Sequence, residues 1–127
     1  VTGRATGERG FTTTQYVTAV GMSLVVFVML ANLLVDRYEQ GALLAAVDEG
    51  ARAGADIDAT TGDCARRGRE VVDALLGPVR ARSVVLECRL VAGSVRATVR
   101  ARLAGWLPLV PDWTVDATGS APKEREP

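Results

Sequence analysis

Cys64 and Cys88 are the two cysteines of this 127-residue sequence and its most obvious covalent chemistry. Two thiolates are too few for a structural zinc site, and the chain has no histidine to complete one. The same absence removes Ser-His-Asp relays and Cys-His nucleophile pairs. No two carboxylates stand where one would serve as acid and the other as base, and no glycine-rich phosphate loop joins a strand to a helix. An even cysteine pair on the C-terminal side of an apolar run reads instead as one disulfide in an oxidising compartment. We therefore expect no enzyme, no cofactor and no metal, with Cys64–Cys88 as a structural bridge and two buried free thiols as the alternative. Fifteen basic and fifteen acidic residues cancel, which gives no global attraction to nucleic acid, and no nucleic-acid partner is expected.

The cysteines must be positioned by a larger plan, and its main feature is residues 11–35, which carry no charge. The nineteen residues 17–35 are mostly Val, Leu, Met, Phe and Ala. As a helix they extend about 28 Å, close to the roughly 30 Å of bilayer hydrocarbon. A cleavable secretory signal has a shorter apolar centre and a small-residue cleavage motif, whereas this run passes directly into Asp36, Arg37, Tyr38 and Glu39. A buried core helix without a polar stripe would need more protein around it than these residues offer. A retained, single-pass membrane helix spanning about residues 14–35 is the expectation. Arginines on both sides leave orientation open by charge, and the cysteine pair favours an external C-terminus.

Beyond the run, Leu43, Ala46, Val47, Gly50, Ala51 and Gly54 recur at helical spacing, while Asp36, Glu39, Asp48, Glu49, Arg52 and Asp56 fall mostly on other faces. Asp48 and Arg52 are placed for an (i, i+4) pair. The helix is thus expected to continue over residues 11–56. Its small residues, with Ala42, either face the chain's own sheet or admit a second helix. Residues 57–64, "IDATTGDC", read as a turn-rich connector. Next, Cys64, Val71, Val72, Leu75 and Leu76 share one face of a short helix that Gly77-Pro78 should stop.

Alternation is clearest in "RSVVLECRLVAGSVRATVRARL": Val84, Leu86, Cys88 and Leu90 share one side of a strand. After a turn at Ala92-Gly93, Val95, Ala97, Val99, Ala101 and Leu103 share one side of the next. "WTVDATGSA" is expected as a third strand after the loop "AGWLPLVPD", whose prolines forbid a regular ladder. The fold class is α+β: a long N-terminal helix running into a head, residues 57–119, with a short helix and a three-stranded antiparallel sheet. Cys64 and Cys88 then both point into the layer between helix and sheet. Their bridge would contribute on the order of 3 kcal/mol to a small domain with a thin core. Arg96, Arg100 and Arg102 line up with Thr98 on the outward side, near Arg89, Arg80 and Arg82. They form a solvated face that discourages edge pairing or, alternatively, a basic surface for an acidic partner. Trp106 and Trp113 either cap the sheet or anchor a partner. Residues 120–127, ending "APKEREP", are expected to be loosely attached.

Gly10-Phe11 followed at once by a spanning helix resembles the cleavage site of type IV pilins and pseudopilins. With "RGFTTTQYV", "DRYEQGALLAAVDEGARAGAD" and the ending "VDATGSAPKEREP", most of the chain resembles the TadE-like small pilus proteins of actinobacterial tight-adherence (Tad/Flp) systems. The resemblance implies a pilin-like fold and a leader, residues 1–10, removed by a prepilin peptidase that cuts between Gly10 and Phe11 on the cytoplasmic side. The apolar helix would then serve first as membrane anchor and later as the packed core of a filament. Implied partners are the peptidase, other pilin subunits, the Tad assembly platform and the membrane. The implied location is the cell membrane, and the pilus after assembly.

The family usually has glutamate at the fifth position after the cut, where its carboxylate meets a neighbouring amino terminus. Here that position is Gln15, followed by Tyr16. Glutamine offers no charge to offset an ammonium in low dielectric, so the resemblance implies a minor, initiating or tip-like subunit. A different reading remains beside it: a single-span anchor displaying an extracellular binding domain that never enters a pilus.

Overall fold

The structure is a computed structural model describing residues 2–103 and 111–125; side chains are described from Thr12 onward, that of Leu103 excepted. Its elements are α1 (Thr2–Ala55), α2 (Thr61–Ala81), β1 (Val84–Val91), β2 (Ser94–Leu103) and β3 (Trp113–Pro122). The class is α+β, as the alternation and helical periods imply. By compactness the chain divides into two units, residues up to Arg37 and residues from Tyr38 on.

The first unit is the N-terminal part of α1, continuous because no proline interrupts its ladder and most of its residues from Val17 to Val35 are apolar. Side chains 12–30 are all exposed.

In the second unit the last part of α1 and α2 lie on one face of a sheet ordered β1-β2-β3, antiparallel throughout. The stripe read from sequence faces inward: Leu43, Ala46, Val47 and Ala51 are buried with Cys64, Val72, Val95, Ala97, Val99 and Ala101. The stripe therefore serves the chain's own core. Glycine is needed where the helices meet, because a Cβ on Gly54 would fall 2.7 Å from the Cys64 Cβ. One on Gly50 would fall 2.9 Å from the Cys64 carbonyl oxygen. Most buried side chains are alanine or valine, so the apolar area removed from water per residue is small. The expected Asp48–Arg52 pair forms on the exposed side at 3.1 Å, where such a pair contributes a few tenths of a kcal/mol.

A capping box starts α2. The Asp63 amide donates to the Thr60 hydroxyl at 3.4 Å, and the Thr60 amide donates to the Asp63 carboxylate at 2.8 Å. The Thr60 backbone N–H and then its hydroxyl hold the Asp63 carboxyl below its ordinary value of 3.8. The β1–β2 hairpin closes at Ala92 (φ 50°) and Gly93 (φ 76°), two successive left-handed residues with Val91 paired to Ser94. Such a two-residue turn matches the right-handed twist of the strands. Ala92 has a Cβ to accommodate there, which costs roughly 1–2 kcal/mol.

Four expectations change. Gly77 does break α2 (φ 80°, ψ 163°), but the chain resumes a helical turn through Ala81. Proline is well suited to begin a turn, where no amide hydrogen is required, so Pro78 restarts what Gly77 ends. Glu39, assigned to the polar side, is 4% exposed and pairs with Arg80 at the far end of α2. Leu90 and Leu75, assigned to apolar faces, are exposed.

The C-terminal tail is the fourth. Ser120–Pro122 complete β3, the Lys123 amide donates to the Gly93 carbonyl at 2.9 Å, and the Glu124 amide donates to the Ala55 carbonyl at 2.8 Å. The Lys123 ammonium donates to the carbonyls of Gly54 (3.1 Å), Asp56 (2.5 Å) and Ala59 (2.6 Å). The ammonium thus sits at the negative pole of the α1 dipole, among carbonyls at and just beyond the helix end, where a cation is stabilising. Lys123→Met, which keeps most of the stem and removes the donors, is expected to lower the head's stability by about 1–3 kcal/mol. Urea unfolding would register this as a lower midpoint with an unchanged slope; an unchanged midpoint would mean that water satisfies the three carbonyls equally well.

Candidate membrane and assembly surface

The surface that the sequence singles out is the N-terminal part of α1. α1 is apolar and long enough to cross a membrane, and none of its most apolar stretch is buried within the protein. Met22, Leu24, Val25, Phe27, Met29 and Leu34 are all more than half exposed. In water this much contiguous apolar surface is unfavourable, at roughly 25 cal/mol per Å². In lipid the polar groups of the segment become the liability. Two of them are satisfied within the helix: the Thr18 hydroxyl donates to the Thr14 carbonyl at 2.8 Å and the Asn32 side-chain amide to the Val28 carbonyl at 2.9 Å. Bonds of this kind lower the cost of placing hydroxyl and amide groups where no water reaches.

Gln15 and Tyr16 stand exposed on this segment. Gly10 and Phe11 fall within the backbone of α1, while the surroundings of Gly10 and the side chain of Phe11 lie outside the described residues.

Cys64 and Cys88 form a disulfide with Cα atoms 6.2 Å apart. The pairing follows from their elements: Cys64 leads the buried face of α2, and Cys88 is on the side of β1 turned to that helix. The bridge ties α2 to β1 near the end where Lys123 closes α1.

The outward arginines are where alternation places them. Arg89, Arg96, Arg100 and Arg102 are exposed on the open face of the sheet, with Arg89 directly opposite Arg96. The Arg100 guanidinium pairs with Asp116 at 3.1 Å and the Arg89 guanidinium with Glu87 at 3.5 Å. This partial neutralisation fits a solvated face better than a dedicated anion site. Open, shallow grooves between Val85, Glu87, Thr98 and Arg100 contain no buried polar group. Arg80 leaves this set altogether for Glu39. Trp113 begins β3 and is partly exposed, whereas Trp106 lies outside the described residues.

Sequence reasoning missed the contacts by which Tyr38 and Glu39 hold the end of α2. The Tyr38 hydroxyl donates to the Leu75 carbonyl at 3.0 Å, and the Glu39 carboxylate pairs with Arg80. Both contacts link residues far apart in sequence: Glu39 stands four residues before Leu43 and seven before Ala46, which puts it on the buried stripe, but nothing local names Arg80 or Leu75 as a partner. No protein-family model, curated protein or solved structure matched the chain.

Proposed function

We propose that this protein is a non-enzymatic minor pilin or pseudopilin of the tight-adherence type, a single-pass membrane subunit whose head stands outside the cell. The observation that carries the reading is the wholly exposed apolar stretch of α1 joined to a small, disulfide-closed α+β head. A helix with this surface needs lipid or other apolar helices around it. The disulfide supports placing the head in an oxidising compartment. Residues 1–10 would be removed between Gly10 and Phe11 by a prepilin peptidase. Assembly would then proceed by lateral packing of apolar helices, with Gln15 in place of an acidic side chain suiting a minor or tip position.

Co-expression with the matching prepilin peptidase tests this. Intact-mass measurement is expected to show loss of residues 1–10 from the parent chain and retention in Gly10→Leu, which should accumulate uncleaved. An unprocessed parent would overturn the pilin reading and leave a membrane-anchored display protein.

A further inference from the structure

The end of the head through which α1 enters gathers exposed apolar and aromatic side chains that the core does not use. Val79, in the turn after the Gly77 break, is 77% exposed, Leu75 is 38% exposed, and Tyr38 is exposed apart from the bond that its hydroxyl makes. Trp113, also 38% exposed, belongs to the same end by register. It pairs with Leu103 beside Arg102, whose amide donates to the Ser83 carbonyl, and Ser83 in turn donates to Arg80. Arg80 is fixed by Glu39, and Arg82 is left exposed.

Chain connectivity says what lies beneath this end. Tyr38 follows Val35, the last residue of the uncharged run, by three positions. That length of backbone reaches at most about 11 Å. A bilayer holding the run therefore brings its headgroup layer to this end of the head.

We propose that this end of the head, through Tyr38, Leu75, Val79 and Trp113, seats in the headgroup layer of the membrane that α1 spans. The proposal rests on the membrane reading of α1. Tyrosine and tryptophan favour that layer because their rings are apolar and their polar tips remain wet. Valine and leucine lose water contact there, and the Arg82 guanidinium can reach lipid phosphate while its stem stays in the apolar margin. The Glu39–Arg80 pair neutralises one carboxylate at this end, while Asp112, beside Trp113, is exposed to the aqueous side of the headgroups. The break at Gly77 has a purpose in this arrangement: it turns Val79 away from the core that Val72 and Ala81 enter.

The full-length chain in phosphatidylcholine–phosphatidylglycerol nanodiscs, its native disulfide intact, provides the test. An environment-sensitive fluorophore is attached to Leu24→Cys, Val79→Cys or Thr118→Cys, the last on the outer face of the sheet. The label at 79 is expected to react with aqueous dithionite several-fold more slowly than that at 118 and to be quenched by headgroup-nitroxide lipid. The label at 24 should be protected. Protection at 24 with equal rates at 79 and 118 overturns the seating and leaves the anchor. Slow reaction at 79 without quenching by the lipid nitroxide overturns it in favour of cover by another copy. Free reaction at 24 overturns the anchor and the seating together.

Discussion

Replacing Leu24 and Phe27 together by arginine is expected to move the full-length chain out of the carbonate-resistant membrane fraction. Each arginine near the middle of a spanning helix costs roughly 2.5–3.5 kcal/mol on the insertion scale, and each lost Leu or Phe forfeits a further few tenths. The pair thus removes about 6 kcal/mol from insertion, enough to reverse the partition of a single helix. The interpretation is protected by the structure, since Leu24 is 60% and Phe27 68% exposed and neither belongs to the buried core. The head's own fold should survive, with an unchanged disulfide by non-reducing mass. If the doubly substituted chain remained in the carbonate pellet, the apolar face of α1 would not be what holds the protein to membranes. The proposed function would then lose its main support.

The second large effect concerns the bridge. Cys64→Ala with Cys88→Ala is expected to destabilise the head by about 3 kcal/mol, because the cross-link, at a sequence separation of 24, removes closure entropy from the unfolded chain. For a unit of this size each kcal/mol shifts the midpoint by about 4–8 °C, so thermal unfolding should begin more than about 10 °C lower. The effect is amplified by composition. With a core of mainly alanine and valine, little apolar area is available to make up the loss, and α2 has only Val72 fully buried beyond the first two turns of the helix before its break. Circular dichroism in the same detergent before and after substitution measures it. A shift of only a degree or two would mean that the helices and sheet already restrict the open chain without the bridge.

How far the sequence discloses this molecule depends on the type of signal. The hairpin was legible because a half-buried strand alternates with period two. Val95, Ala97, Val99 and Ala101 are buried, and the arginines between them are exposed. The stripe from Leu43 to Gly54 was legible for the same reason at helical period, and its small residues give direct evidence of close approach. The disulfide partners were legible by elimination, there being only two cysteines. The candidate processing and assembly residues Gly10, Phe11, Gln15 and Tyr16 were all singled out through a resemblance, and the exposure of Gln15 and Tyr16 is shared by every side chain from 12 to 30.

What failed was of more than one kind: Leu75 and Leu90 are exposed despite their periodic positions, and the burial of Glu39 and the docking of the tail depend on distant partners. Glu39 was grouped with the residues off the helical stripe, and Arg80 reaches across from α2 to pair with it. The tail was read as loose because "APKEREP" is charged and proline-rich, yet its lysine, the single one in the chain, closes the end of α1. Periodic patterns are local properties of a chain, and the sequence by itself determined the spanning run, the packing stripe and the strands of the sheet. Ion pairs and caps between residues up to 69 positions apart depend on which ends the fold brings together. Only the tertiary structure decided that Tyr38 and Glu39 would hold the end of α2, and that Lys123 would meet three carbonyls of Gly54, Asp56 and Ala59. The reason is physical: unsatisfied helix-end groups and a buried carboxylate have no local partner, and the chain stabilises them with whatever donor the completed fold delivers.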